Sequence, residues 1–320
     1  MISIGLVGCG AVVHSNYAKT LPVRSEYSVR FVSDINEAQA QSAAALFNAQ
    51  ATSLDELVRQ ADAIIITTPP STHEDLVLKS IRSGRAVLCE KPFMTSAAAA
   101  RRVVDAAAAA NSELFVGHFR RTFPQVRLAR DLVKLGTIGQ VQAIRMSEGG
   151  RFTWKAVSGY TVRDPAGGVL WDTGSHTLDT ALFVAGMDLW PDLELSKIQV
   201  RKDKAEPSHD FKARFEVLGG KAGQSPVGFQ LHFSRFEALP NFIEIIGERG
   251  KISLSAGMDT RVRLATAEGS IVLSAEEQYA EILECFELQL RRILLRDGQE
   301  DFAAFRFVGL TTILETLSNA

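Results

Sequence analysis

The first 120 residues alternate short apolar runs with helical stretches, and this alternation constrains the fold more than any other feature of the chain. The runs are Ile2–Val7, Ser28–Ser33, Ala63–Thr67, Ala86–Glu90 and Leu114–Gly117. Near-continuous apolar strands are buried on both faces, as in parallel sheets. Helices between them predict βαβ units with right-handed crossovers. The helical stretches carry start and stop signals. Glu37–Phe47 reads as a helix, Ser53-Leu54-Asp55-Glu56 as a capping box, and Ser71-Thr72-His73-Glu74 as a second one opening a helix towards Arg82. Gly84 suits a left-handed helix stop. Thr95 or Ser96 can cap the Ala-rich helix Ala97–Ala110.

Open parallel sheets take their ligands at the carboxyl ends of the strands. The first such end is Gly8-Cys9-Gly10-Ala11-Val12-Val13, followed by a helix through Thr20. Gly8 permits a tight turn, and Gly10 lets the backbone approach a pyrophosphate held at the helix amino terminus. Val13 stands where this fingerprint has its third glycine, which predicts looser strand–helix packing. Asp34 ends the second strand, 24 residues after Gly10. An acid there accepts from both ribose hydroxyls and repels a 2′-phosphate. Ile35 and Asn36 follow it rather than an arginine, so NAD is expected ahead of NADP. Gly8, Gly10, Ala11, Val12, Val13 and Asp34 are therefore expected to touch the cofactor. Thr68, Pro69, His73, Glu90 and Lys91 join them at the ends of the later strands. Pro92 cannot donate to a ladder and stops the strand that carries Lys91.

Phe123-Pro124 breaks the alternation, so residues 1–121 are expected to form a dinucleotide-binding domain and residues 122–320 a second domain. That second stretch opens with a helix, Gln125–Leu135, and a long strand, Gln140–Ser147. A loop from Gly149 to Gly168 carries Arg151, Phe152, Trp154, Lys155, Tyr160 and Arg163. The segment from Gly167 to about Val184 reads as a helix. On it Asp172, His176 and Asp179 are spaced i, i+4 and i+7 and share a face. Three readings are open for this triplet: a structural histidine, a metal site, or a general base oriented by a carboxylate. No cysteine or second histidine lies nearby, which weighs against metal. Further strands up to Leu264 predict an antiparallel meander, because turns such as Gly219-Gly220 are too short for crossovers. Ser274 and Glu277 are expected to cap a helix through Arg296. A last helix, Phe302–Leu317, is expected to pack back on the body of the protein, the first domain included.

A net charge of −2 and a pI near 6.3 give no basic field for nucleic acid. No apolar run approaches the roughly 18 residues that span a bilayer. Cys9, Cys89 and Cys285 are far apart and read as reduced core residues. Met1 leads directly into a strand without a basic leader, so a cytoplasmic location is expected.

With the glycine turn, Glu90-Lys91-Pro92 and the Gly167–Asp179 segment assembled, the chain resembles the glucose–fructose oxidoreductase / inositol dehydrogenase / rhizopine-catabolism (Gfo/Idh/MocA) family of NAD(P)-dependent oxidoreductases. The resemblance implies an α/β chain: an amino-terminal Rossmann domain and a carboxy-terminal α+β domain with a large, mainly antiparallel open sheet. It also implies that Lys91, Asp172 and His176 line the substrate site as catalytic residues. The expected activity is hydride transfer between nicotinamide and a secondary alcohol or ketone of a sugar or polyol. The alternatives are a non-catalytic cofactor sensor on the same scaffold, or an enzyme that recycles NAD in place during glycoside cleavage or sugar–sugar oxidoreduction. His14 stands where many members carry an acid. Arg121, Arg151, Trp154 and Tyr160 are expected to contact substrate, aromatics stacking on the sugar and arginines gripping an anionic group. A homodimer or homotetramer is expected. Val227, Phe229, Leu231 and Phe233 share one strand face, and an apolar sheet face left free by helices drives association.

Overall fold

The computed structural model describes residues 1–21, 25–150, 164, 166–190, 192–204, 210–220 and 225–320. They fall into two compact units. Unit 1 is Met1–His118 with Leu283–Phe305; unit 2 is the described part of residues 119–282 with Arg306–Ala320.

Unit 1 is a six-stranded parallel sheet in the order β3-β2-β1-β4-β5-β6. Its strands are β1 (Ile2–Val7), β2 (Tyr27–Ser33), β3 (Gln50–Ala51), β4 (Ala63–Ile66), β5 (Ala86–Glu90) and β6 (Leu114–Gly117). All of β4 and β6 is buried, as their uninterrupted apolar sequences require. The strand order reverses between β1 and β4, which sets a crevice at the carboxyl end of β1. After the glycine turn the chain forms a π segment, Val13–Tyr17, that continues into α1 (Ala18–Thr20). Helices α2 (Glu37–Phe47), α3 (Leu54–Gln60), α4 (His73–Ile81) and α5 (Ala97–Ala109) are the crossovers. Ser53 accepts from the Glu56 amide and Ser96 from the Ala99 amide, so two of the expected caps form. The capping box at Ser71 does not. Residues 70–72 are a 3₁₀ turn, and the Thr72 hydroxyl donates instead to Thr68 Oγ1 and Pro69 O, both at 2.8 Å.

Unit 2 opens with α6 (Pro124–Lys134) and β7 (Val141–Gly149). A second π segment, Leu170–Gly174, runs into α7 (Ser175–Ala185). Strands β8 (Glu194–Lys204), β9 (Asp210–Gly220), β10 (Val227–Ser234), β11 (Leu239–Gly247), β12 (Gly250–Ser255), β13 (Arg261–Thr266) and β14 (Gly269–Ser274) follow. Then come α8 (Ile282–Leu294), most of which belongs to unit 1, and α9 (Val308–Asn319). The sheet order is β14-β13-β12-β11-β7-β10-β9-β8. It is not the simple meander expected. β7 enters between β11 and β10 and pairs parallel with β10, while every other pairing is antiparallel. Ser274 is also not a helix cap, because it ends β14 and the helix starts only at Ile282.

One face of this sheet packs on α6, α7 and α9. Val227, Phe229, Leu231 and Phe233 lie on that covered face, each at most 3% exposed. They are core residues of the single chain and leave no exposed stripe for association. The opposite face carries a polar row. Arg263, Ser253, Glu244, Arg145, Gln230, Glu216 and Gln199 follow one another in register across β13, β12, β11, β7, β10, β9 and β8. In that row Glu244 also pairs with Lys251 at 2.5 Å.

Candidate functional site

In unit 1 the carboxyl ends of β1, β2, β4 and β5 gather most of the residues expected to hold a cofactor. Gly8 has φ +88°, and a Cβ there would lie 2.7 Å from Thr68 Cγ2 and 2.9 Å from Thr68 N. Glycine is therefore required by both conformation and space. A Cβ on Gly10 would meet nothing within 4 Å, so the backbone there stands open to a ligand. The helix begins directly behind it, and its first amides favour an anion. Asp34 is fixed from both sides: Oδ2 accepts the Cys9 amide and Oδ1 the Asn36 amide, each at 2.7 Å. Each carboxylate oxygen keeps a lone pair for a hydroxyl. Burial and the Asp34 charge push the Cys9 thiol up to about 12, so it stays a neutral packing group. These features fit a dinucleotide. Val13 is wholly buried and opens the π segment.

Two residues expected to touch the cofactor are turned away from solvent. His73 is wholly buried. Its Nδ1 lies 3.1 and 3.0 Å from the carbonyls of Pro92 and Phe93, and its Nε2 2.9 Å from that of Thr68. It braces the loops after β4 and β5 and presents no edge to a ligand. The Glu90 carboxyl is buried too. It accepts the Tyr17 hydroxyl at 2.7 Å, and Tyr17 carries no motif that singles it out in the sequence. Lys91, half-buried, follows at the strand end as expected.

In unit 2 the π segment and α7 carry the polar triplet, but the three residues do not act on one face. Asp172 and His176 are half-buried, and Asp179 is 1% exposed. Asp172 is ion-paired with Arg235, just past β10, which is itself buried. The sequence offered no spacing signal for Arg235, since 63 residues separate it from its partner. The His176 ring packs edge-on against Phe119, centroids 5.6 Å apart at 71°. Nearby in the chain, Thr177 donates to Glu148, whose carboxylate also takes a bidentate pair from Arg120, both at 2.8 Å.

Asp179 belongs to another network. Arg121 has no exposed surface. It donates to Asp179 from Nε at 3.2 and 3.0 Å and from Nη2 at 2.6 Å, and from Nη1 to Asp188 at 3.2 Å. Its guanidinium also lies 4.7 and 4.2 Å from the ring centroids of Phe183 and Phe307. The expectation that Arg121 grips substrate is corrected: its donors are spent inside the core. Arg120, half-buried, gives its two terminal nitrogens to Glu148. Arg151, Trp154 and Tyr160 lie outside the described residues. Among the described residues there is no group of three metal-ligating side chains.

Comparison with known proteins bears on both units. Residues 2–118 match the model of the GFO/IDH/MocA oxidoreductase family, NAD-binding Rossmann fold, and residues 126–253 that of the GFO/IDH/MocA C-terminal domain. Inositol 2-dehydrogenase of Rhizobium meliloti (strain 1021) is 25% identical over 283 residues, 84% of this chain and 80% of the relative. Among solved structures, the 3-ketoreductase KijD10 from Actinomadura kijaniata, in complex with NADP, aligns with TM-score 0.75 at 20% identity over 99% of this chain and 97% of the other. UDP-N-acetylglucosamine 3-dehydrogenase GnnA from Acidithiobacillus ferrooxidans aligns with TM-score 0.78 at 18% identity over 100% and 97%.

Proposed function

Because the chain belongs to the GFO/IDH/MocA family of NAD(P)-dependent sugar and polyol oxidoreductases, we propose that it interconverts a secondary alcohol and a ketone on such a substrate. The bound nicotinamide supplies the redox chemistry by exchanging a hydride with the substrate carbon. Gly8, Gly10 and the helix start would receive the pyrophosphate, and Asp34 the ribose hydroxyls, which favours NAD.

The observation that carries the assignment of roles is the Arg235–Asp172 pair. A carboxylate paired with a buried guanidinium is fixed in place by charge-assisted contacts, and its lone pairs are engaged. Proton transfer then falls to His176, because imidazole is the side chain that most often serves as a general base near neutral pH. Asp172 orients substrate or His176. Lys91 supplies positive charge to the oxygen that becomes an alkoxide. The proposal extends to a homodimer or homotetramer through the free sheet face, which presents half-buried Phe242, Ile246 and Leu218 and exposed Val272.

The test is a panel of sugars, polyols and their acids with NAD, followed as net NADH formation. Turnover is expected on at least one, with Lys91→Ala and His176→Ala each slower by roughly 10². NAD affinity should be nearly unchanged in His176→Ala. Tight NAD binding with no turnover on any substrate would speak for a sensor instead. A monomer in sedimentation at micromolar concentration would contradict the assembly.

A further inference from the structure

Tyr17 takes part in no sequence motif, yet it is wholly buried in unit 1 with its hydroxyl on a carboxyl group. It closes the π segment that follows the glycine turn. A π turn holds one more residue per hydrogen-bonded loop than an α turn. Val13 and Tyr17, at its two ends, are both turned fully inward. The Tyr17 ring stands edge-on to Phe286 of α8, centroids 5.0 Å apart. Its hydroxyl donates to Glu90 Oε1 at 2.7 Å, and Glu90 Oε2 accepts the Lys91 amide at 3.2 Å. Gly117, the register partner of Glu90 on β6, makes the room: a Cβ there would lie 3.1 Å from the carboxyl carbon and from both its oxygens. Four elements are thus shaped around one buried carboxyl.

The charges around it come from two of those elements. Burial pushes the Glu90 carboxyl up, while the Tyr17 hydrogen bond and then the Lys91 charge and amide pull it back down. Burial, then Glu90, holds the Tyr17 hydroxyl well above its usual range, so it remains a donor. Cys89, on the same strand, is raised by burial and then by Glu90. From β6 the facing residue is Gly117, and from α8 it is Phe286 behind Tyr17; neither titrates.

We propose that Tyr17 is a positioning residue that acts through Glu90 on Lys91, tying the helix that receives the cofactor to the lysine that handles the substrate oxygen. This rests on the reading of Lys91 as catalytic. Tyr17→Phe keeps the ring on Phe286 and removes only the donor. Tyr17→Phe, Glu90→Gln and Lys91→Ala are compared for thermal unfolding, NAD affinity and the pH profile of kcat on the best substrate of the panel. Without the donor the carboxylate is less stabilised and protonates at a higher pH. The acid limb of kcat in Tyr17→Phe should therefore move up by about one pH unit, with KM little changed. Glu90→Gln has no carboxyl to titrate, so its acid limb should reduce to the single ionisation of the His176 base. A Tyr17→Phe enzyme that is less stable and slower, but with its acid limb unmoved, would overturn the proposal, since a hydroxyl that merely packs would do that. If Tyr17→Phe does not fold, an acid limb in Glu90→Gln with the wild-type midpoint and steepness overturns it alone. Undiminished turnover in Lys91→Ala removes both this proposal and the reading beneath it. An inactive Lys91→Ala beside an unmoved Tyr17→Phe profile removes only this proposal.

Discussion

Replacing Arg121 by methionine tests the most consequential correction to the sequence reading. The side chain has no exposed surface, and it supplies three hydrogen-bond contacts to Asp179 and one to Asp188. Methionine fills much of the same volume but takes the guanidinium donors away from Asp179, which is 1% exposed. Asp188 is better protected, because Arg306 also donates to it at 2.9 Å. The Arg121–Asp179 pair sets the scale, and breaking a buried pair from one side costs about 3–5 kcal/mol. At about 2–4 °C per kcal/mol for a body of this size, the melting temperature should fall by roughly 10–15 °C. The loss of the guanidinium from the Phe183 and Phe307 rings acts in the same direction and is not separately additive. Arg121→Met/Asp179→Leu removes both charges, so it should be less damaging than the sum of the two single changes by about 2 kcal/mol or more. Urea unfolding of all four proteins measures this cycle, and substrate KM is read on the folded protein at low temperature. A structural Arg121 predicts lost stability with KM unchanged. A stability loss below about 1 kcal/mol, or a KM raised tenfold in a protein of normal stability, would refute the buried-network account and restore Arg121 as a substrate ligand.

Gly8→Ala should abolish measurable NAD binding and destabilise unit 1, because the added methyl meets Thr68 at a positive φ; fluorescence titration at normal affinity would count against the close approach. NAD should bind more tightly than NADP, and Asp34→Ser should narrow the gap by roughly tenfold or more, the worth of one charged contact; equal affinities in the wild type would show that Asp34 does not discriminate. If Arg151 grips an anionic group on the substrate, Arg151→Ala should lower kcat/KM about tenfold on the anionic sugar and little on its neutral analogue. Equal losses on both would rule that role out.

The amino-terminal half was legible because its signals are local. Apolar runs long enough to be strands, serines three residues ahead of the amides they cap, and Gly8 and Asp34 at strand ends depend on neighbours within one turn or one crossover. The same locality explains why Lys91, Asp172 and His176 could be singled out from short motifs. What a charged side chain faces is decided by residues remote in the chain. Arg121 looked like an anion ligand, but Asp179 and Asp188 claim it from 58 and 67 residues away. Asp179 shared a helical stripe with His176 on paper, yet desolvation drew it to the buried guanidinium. The strand stripe Val227–Phe233 alternated correctly, but alternation does not say which face the helices cover. Only the sheet order, with β7 inserted beside β10, assigned that stripe to the core and left the charged row outside. Sequence by itself therefore determined the elements, the family and the chemical inventory. Tertiary structure decided which ionisable groups neutralise one another, because a buried charge finds its partner in space and not along the chain.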